Sequence, residues 1–341
     1  MIVKSRNWSG FFLLKDTSFI VKRYRSMKSE EKTLNKVTVL GSLNVDTILQ
    51  IPRLPQPGET LAMSDKRNAG GGKGANQAIS AARSGAKASF IGKIGDDENG
   101  RMMLSFLKDA GINTEQVTVS GKGTGQAFIL LQDSGENSII IFGGANQEIR
   151  DKDIENAREM IQSSDFIVTQ FETPFDQATH AFKIAKEAGV VTVLNPAPAH
   201  KNVDPELLKN VDLIVPNETE AEILTEIKVI DEITAHEAAS RLQELGARNV
   251  IITLGGKGAY YKTANEEKLV KAFKVEAVDT TAAGDTFLGA LVSRLKKDFS
   301  NLEESIIYAS KASSIAVQKV GAIPSIPSEQ QVLSALEEDQ N

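Results

Sequence analysis

The chain has 341 residues, 41% hydrophobic and 25% charged, which is the composition of a soluble globular protein large enough for one large α/β domain or two smaller ones. It contains no cysteine, which excludes disulfides, thiolate metal sites and cysteine nucleophiles, and its 3 histidines (His180, His200, His236) lie too far apart in sequence to suggest a histidine-built metal centre or a Ser-His-Asp triad. The net charge is −6, residues 1–28 alone carry +6, and the acidic remainder of −12 argues against nucleic acid as the main partner; no apolar run approaches the roughly eighteen residues of a membrane helix.

Residues 1–34 differ from the rest. Phe11-Phe12-Leu13-Leu14 is too short for a secretory apolar core, and Lys15-Asp16 interrupts it. A basic, acid-poor stretch of this kind reads as a disordered extension, an organelle-targeting peptide, or sequence upstream of a natural start at Met27.

Order begins with a buried strand, Lys36–Leu40, ending at Gly41. Asn44 and Asp46 follow two residues apart, so in an extended segment they project to the same side, suited to hydroxyl recognition or to a solvated turn. From Thr47 to Met63, short strands are broken by Pro52, Pro55, Pro57 and Gly58. A glycine-rich loop, Gly70-Gly71-Gly72-Lys73-Gly74, then leads into an alanine-rich helix through Ala82, with Lys73 and Asn76 able to reach sugar hydroxyls; the spacing is not that of a Walker A loop. A strand at Ala88–Ile94 and a helix from Glu98 to Ala110 continue the rhythm. Gln126–Gln132 and Ser138–Phe142 form a β-hairpin around Asp133-Ser134-Gly135-Glu136-Asn137. The two β interruptions predict a small sheet standing off the main domain as a lid, its apolar face covered by ligand or by a second subunit.

Strand and helix alternate again through Phe166–Gln170, a helix to Glu187, and Val190–Leu194, which ends in Asn195-Pro196-Ala197-Pro198. After Leu213–Pro216, Asn217 and Glu220 lie three apart on one helix turn, suited to hydrated Mg²⁺ near phosphates or to a capping box. Val250–Leu254 is a buried strand leading into a second glycine loop, Gly255-Gly256-Lys257-Gly258. The stretch Val278–Phe287 then reads as a small-residue turn with a helix starting near Gly284, where unpaired backbone N–H groups form an anion nest. Asp285 at its lip is either a helix cap or a general base. A helix from Leu302 to about Lys319 and a loop, Gly321-Ala322-Ile323-Pro324-Ser325, complete the pattern. The fold class expected is α/β, a mostly parallel sheet with helices on both faces plus the small lid, and the candidate residues converge at the carboxyl ends of its strands.

Three motifs, Gly41-Ser42-Leu43-Asn44-Val45-Asp46, Gly70-Gly71-Gly72-Lys73-Gly74-Ala75-Asn76-Gln77 and Asp279-Thr280-Thr281-Ala282-Ala283-Gly284-Asp285-Thr286-Phe287, resemble those of the ribokinases in the ribokinase-like carbohydrate kinase superfamily. Asn195-Pro196-Ala197-Pro198 and Pro216-Asn217-Glu218-Thr219-Glu220 add to the resemblance, which covers the chain from about Asn35 to Ser328. It implies a kinase domain over residues 35–330 with a lid at about 47–64 and 124–144, an amino-terminal extension 1–34 without counterpart, and a tail at 331–341.

By resemblance, the reaction is transfer of the ATP γ-phosphate to the 5-hydroxyl of D-ribose. Asp285 would be the base and Ala282, Ala283 and Gly284 the backbone anion hole. Asn44, Asp46, Gly72, Lys73, Asn76 and Glu172 would hold the sugar. Asn217, the loop of Thr253, Leu254, Gly255, Gly256, Lys257 and Gly258, and Ser310 near the adenine would line the nucleotide, with Glu220 ordering Mg²⁺. A K⁺ ion, or another monovalent activator, would be held by Asp279, Ser325 and the carbonyls of Thr281, Ala316, Lys319 and Gly321. The wider superfamily often has Gly where this chain has Ala282, though ribokinases tolerate Ala there, and relatives often carry Asn or His where it has Ser310. A cytoplasmic homodimer paired through the lid is expected, with no nucleic-acid or membrane partner. Deoxyribose, a nucleoside or a fructose-type sugar are the alternative substrates. A non-catalytic sugar-binding regulator is the alternative class, and the intact Asp285 turn speaks against it.

Overall fold

A computed structural model describes residues 34–339, so the readings of residues 1–33 lie outside the described residues. The strands in chain order are β1 (Lys36–Leu40), β2 (Asn44–Ile51), β3 (Asp65–Gly71), β4 (Lys87–Gly95), β5 (Asn113–Ser120), β6 (Gly125–Gln132), β7 (Asn137–Phe142), β8 (Phe166–Thr169), β9 (Val191–Leu194), β10 (Leu213–Ile214), β11 (Asn249–Thr253), β12 (Ala259–Lys262) and β13 (Glu267–Val270). Among the described residues, 9 of them form one sheet in the order β13-β12-β11-β10-β9-β8-β1-β4-β5. It is parallel from β11 to β5, and β12 and β13 add an antiparallel edge.

Alternating side chains feed two apolar layers, as the two-residue period of a strand requires. Val37, Val39, Phe90 and Ile251 pack on one face, beneath the helices Lys73–Arg83, Ala283–Arg294 and Leu302–Ala316. Leu40, Ile91, Val250 and Ile252 pack on the other, beneath the helices Phe175–Glu187 and Glu232–Glu244. Covered on both faces, the central strands are continuously apolar, as in Phe166-Ile167-Val168, and such runs are readable from sequence.

One helix contact positions the chemistry. A Cβ on Gly289 would lie 2.4 Å from the Gln77 carbonyl oxygen and 2.5 Å from the Ser80 Cβ, so only glycine lets the helices Lys73–Arg83 and Ala283–Arg294 approach this closely. Ser80 Oγ donates to the Thr286 carbonyl across the contact at 2.8 Å.

The small sheet has 4 strands among the described residues, in the order β3-β2-β6-β7. Its first strand starts at Asn44 rather than at residue 47, so Asn44 and Asp46 belong to the small sheet itself. The segment 52–64, expected to supply short strands, is irregular and connects β2 to β3. The expected glycine loop is also rearranged. Gly70 and Gly71 end β3, Gly72 alone makes the turn, and Lys73 and Asn76 stand on the first turns of a helix. Toward the other end of the chain, residues 329–338 form a helix that buries Val332 and Leu336, within the stretch expected to begin a tail at 331.

Candidate active site

Asp285 sits in the first turn of Ala283–Arg294 and is buried. Its side chain does not cap that helix. Asp285 Oδ1 accepts from Gln77 Nε2 at 2.9 Å, and Oδ2 accepts from Asn76 Nδ2 at 3.0 Å. Of the two roles left open for this carboxylate, the capping one is therefore not adopted. Ala282 provides the turn before the helix in a left-handed conformation, φ 59°, which carries strain in a residue with a Cβ. A Cβ built on Gly284 would meet nothing within 4 Å, so the backbone there is open to a ligand.

A cleft of about 170 Å³ opens in front of this turn, bringing Lys73, Asn217, Glu220 and Thr253 together with Ala282, Ala283, Gly284 and Asp285. Asn217 and Glu220 form a full capping box. Asn217 N and Nδ2 each donate to a Glu220 oxygen at 2.9 Å, and Glu220 N donates to Asn217 Oδ1 at 2.8 Å. The capping box leaves Glu220 in the cleft lining. Its carboxylate keeps lone pairs for the waters of a hydrated Mg²⁺, an ion that retains several waters when bound. Among the described residues no group of three or more histidine, cysteine, aspartate or glutamate side chains is gathered as a metal site.

The side chains expected to hold the sugar stand outside the cleft lining: Asn44 and Asp46 on the small sheet, and Glu172 just after β8 of the main sheet. Asn44 is buried, not a solvated turn residue, and its Oδ1 accepts from Asn146 Nδ2 at 2.7 Å, so the amide it has left to offer is a donor. The Asp46 carboxylate lies against Gly71, where a Cβ would come within 2.5 Å of Asp46 Oδ2. Glu172 accepts from Ser42 Oγ, and from Lys73 N at 2.9 Å. Gly72 adopts φ +90°, and a Cβ there would lie 2.8 Å from Asn44 N.

Charge in this site is coupled. Burial, with Glu172 and Asp285 nearby, pushes Asp46 up to about 6. Burial disfavours the Lys73 ammonium, but Asp285, Glu172 and Glu220 outweigh it and hold its pKa above the usual lysine value. Burial likewise raises Glu220, against the Asn217 N–H and the Lys73 charge.

Asp279 ties together the two loops expected to hold a monovalent cation. Its Oδ1 accepts from Thr281 N at 2.9 Å and Thr281 Oγ1 at 2.6 Å, and its Oδ2 accepts from Gly321 N at 2.8 Å. Burial opposes ionisation there, yet the donors of Gly321 and Thr281 hold its pKa below the usual carboxylate value. Ser325 Oγ donates to the Ala322 carbonyl at 2.7 Å, and the Ala316 carbonyl accepts from Lys319 N at 3.0 Å. The remaining nucleotide candidates stand apart from the cleft lining. Leu254 is buried, with its N donating to the Gly258 carbonyl at 2.7 Å. Gly255, Gly256 and Lys257 form a short 3₁₀ turn, with Lys257 Nζ 3.4 Å from Glu218. Ser310 is half-buried on Leu302–Ala316, whose Ser313 donates to the Ala283 carbonyl at 2.9 Å.

The family described as pfkB family carbohydrate kinase matches residues 34–329. The chain belongs to that family. It is 49% identical to a ribokinase of Staphylococcus aureus (strain COL) over 295 residues, covering 86% of this chain and 97% of that one. It is 46% identical to a bifunctional ribokinase/ribose-5-phosphate isomerase A of Fructilactobacillus sanfranciscensis over 309 residues, 90% of this chain, and spans 57% of that longer relative. Its fold matches the structure of Arabidopsis thaliana ribokinase complexed with ribose and ATP at a TM-score of 0.82, with 33% identity, over 89% of this chain and 99% of that one. The mostly parallel sheet with a separate small sheet is thus the fold shared with a pfkB carbohydrate kinase.

Sequence reasoning missed several residues of this pfkB kinase site. Ser42 and Asn146 orient Glu172 and Asn44, and Gln77 bonds the Asp285 carboxylate directly. Ser42 and Gln77 lie inside quoted motifs, where the chemistry of a buried hydroxyl and a buried amide was the available signal. Asn146 sits in a short 3₁₀ turn, Gly144–Glu148, distant in sequence from Asn44, and carries no local signal.

Proposed function

We infer that this chain phosphorylates the 5-hydroxyl of D-ribose at the expense of ATP. The observation that carries the reading is the placement of the buried Asp285 carboxylate at the open Gly284 turn, within one cleft with Lys73 and Glu220. The resemblance to ribokinases over most of the chain supports ribose as the acceptor.

In this reading Asp285 takes the hydroxyl proton as the sugar oxygen attacks the γ-phosphorus, and ADP leaves in line. The N–H groups of residues 282, 284 and 285 receive the charge that develops on the transferring phosphoryl group, while Ala283 N donates to the Thr280 carbonyl at 3.2 Å. Lys73, kept protonated by its carboxylate neighbours, adds a positive charge on the same side. Asn44, Asp46, Asn76 and Glu172 hold the sugar hydroxyls, and Asn217 with the 253–258 turn lines the nucleotide. Glu220 would hold a Mg²⁺ ion, which would supply neutralisation of the phosphate charge. The pairing of the Thr281 and Gly321 loops through Asp279 supports a K⁺ site whose filling stiffens the anion nest.

The sequence Ile139-Ile140-Ile141-Phe142 on β7 is exposed throughout, which supports a homodimer closed through the small sheet. A cytoplasmic location belongs to the same reading. The test is ADP release with and without K⁺ across ribose, deoxyribose, fructose and a nucleoside. Ribose-dependent release stimulated by K⁺ is expected, and ribose binding without ADP production would point to a regulator instead.

A further inference from the structure

Behind the base lie two buried amides, Gln77 and Gln170, joined to the half-buried Asn195 of the cleft wall. Neither Gln77 nor Gln170 lines the cleft. Gln77 Nε2 donates to Asp285 Oδ1 at 2.9 Å and to Asn195 Oδ1 at 3.1 Å. Gln77 Oε1 accepts from Gln170 Nε2 at 2.7 Å. Asn195 is fixed in turn, its Nδ2 donating to the Val215 carbonyl at 2.9 Å. Every donor in this series of amides therefore points one way.

An amide has two nearly isosteric ends, and only one of them attracts a carboxylate. If the Gln77 amide turned over, its carbonyl oxygen would face both Asp285 and Asn195 Oδ1. Gln170 prevents this by offering a donor to the other end. The arrangement is costly, because Gln170 Oε1 is buried without a hydrogen-bond partner. It also restricts the motif at the end of β1. A Cβ on Gly41 would fall 2.5 Å from Gln170 Oε1 and 2.6 Å from Gly74 Cα.

We propose that Gln77 is a positioning residue for the catalytic carboxylate, and that Gln170 sets which end of the Gln77 amide faces Asp285. The proposal rests on the reading of Asp285 as the base. Asn76 steadies the other carboxylate oxygen but also faces the sugar, so Gln77 is the support whose loss can be separated from substrate binding.

The test compares Gln77→Met, Gln170→Met, the double variant and Asp285→Asn in the full chain, with kcat and the KM for ribose measured separately. Asp285→Asn should lose turnover and keep ribose binding. Gln77→Met should lower kcat by roughly tenfold to a hundredfold, the effect of a lost hydrogen bond to a charged group, with the KM for ribose unchanged. Gln170→Met should lower kcat by a smaller factor, and the double variant should be no slower than Gln77→Met alone, because Gln170 acts only through Gln77. A leucine pair gives the same comparison if a methionine variant does not fold. Wild-type kcat in Gln77→Met beside an inactive Asp285→Asn would overturn the proposal. So would losses that multiply in the double variant, which mark two independent packing defects. Normal turnover by Asp285→Asn would remove the base reading, and this proposal with it.

Discussion

Two turns lead into the two helices that meet at Gly289, and they solve the same steric problem in opposite ways. At Gly72 the backbone is left-handed and closed in, with no room for a Cβ beside Asn44 N. At Ala282 the backbone is left-handed with a Cβ in place, and two residues later Gly284 faces open space. Glycine is needed at the first turn because protein packs against it. At the second, the residue without neighbours is Gly284, where a ligand can approach. In sequence the two look alike, as runs of small residues before a helix; only the surroundings separate packing from binding.

Replacing the base should have the largest effect on this contrast. Asp285→Asn should reduce kcat by about 10²–10⁴-fold while ribose still binds, measured by steady-state kinetics and calorimetry. Near-normal turnover would leave the second turn as a binding feature only. Gly72→Ala comes next. A left-handed alanine with a Cβ 2.8 Å from Asn44 N should cost about 2–4 kcal/mol in denaturant unfolding. A loss well under 1 kcal/mol would mean that the first turn is as tolerant as the second.

A pH effect tests the same turn through Asp46, which rests against Gly71. With its pKa pushed up to about 6, Asp46 gains a proton as the pH falls through that value and loses its capacity to accept sugar hydroxyls. The KM for ribose should therefore rise below about pH 6, by up to roughly tenfold per pH unit, and Asp46→Asn should raise it above pH 6 and flatten the profile. A flat wild-type profile would remove Asp46 from sugar binding. The smallest change is Ala282→Gly, which relieves a left-handed Cβ and also loosens the unfolded chain. The net gain in stability should be within about 1 kcal/mol, and a substantial loss would show that the Ala282 methyl packs usefully.

The main sheet was legible because its strands are continuously apolar and its helices follow at regular intervals. The helices Glu98–Asp109, Ala283–Arg294 and Leu302–Ala316 fall within a few residues of their expected limits. The strand β5, Asn-Thr-Glu-Gln-Val-Thr-Val-Ser, carried too little apolar signal, because it is an edge strand. The pair β12–β13 was missed because a short antiparallel hairpin breaks the strand-helix rhythm. Candidates with a sequence signature of their own, including Asp285, Lys73 and Glu220, meet in one cleft. Those that act by holding another side chain carry no such signature, because Asn146 to Asn44 and Gln170 to Gln77 are pairings across 102 and 93 positions of chain.

The position of β2 has a consequence for affinity. Asn44 and Asp46 belong to a strand that is hydrogen-bonded on both sides within the small sheet, whereas Asp285 belongs to the main body. In the proposed reading, grip and chemistry are thus mounted on separate frames. Thermodynamic reciprocity then requires that anything steadying the small sheet strengthens sugar capture, and that sugar, once captured, slows amide hydrogen exchange along β2, β3 and β6.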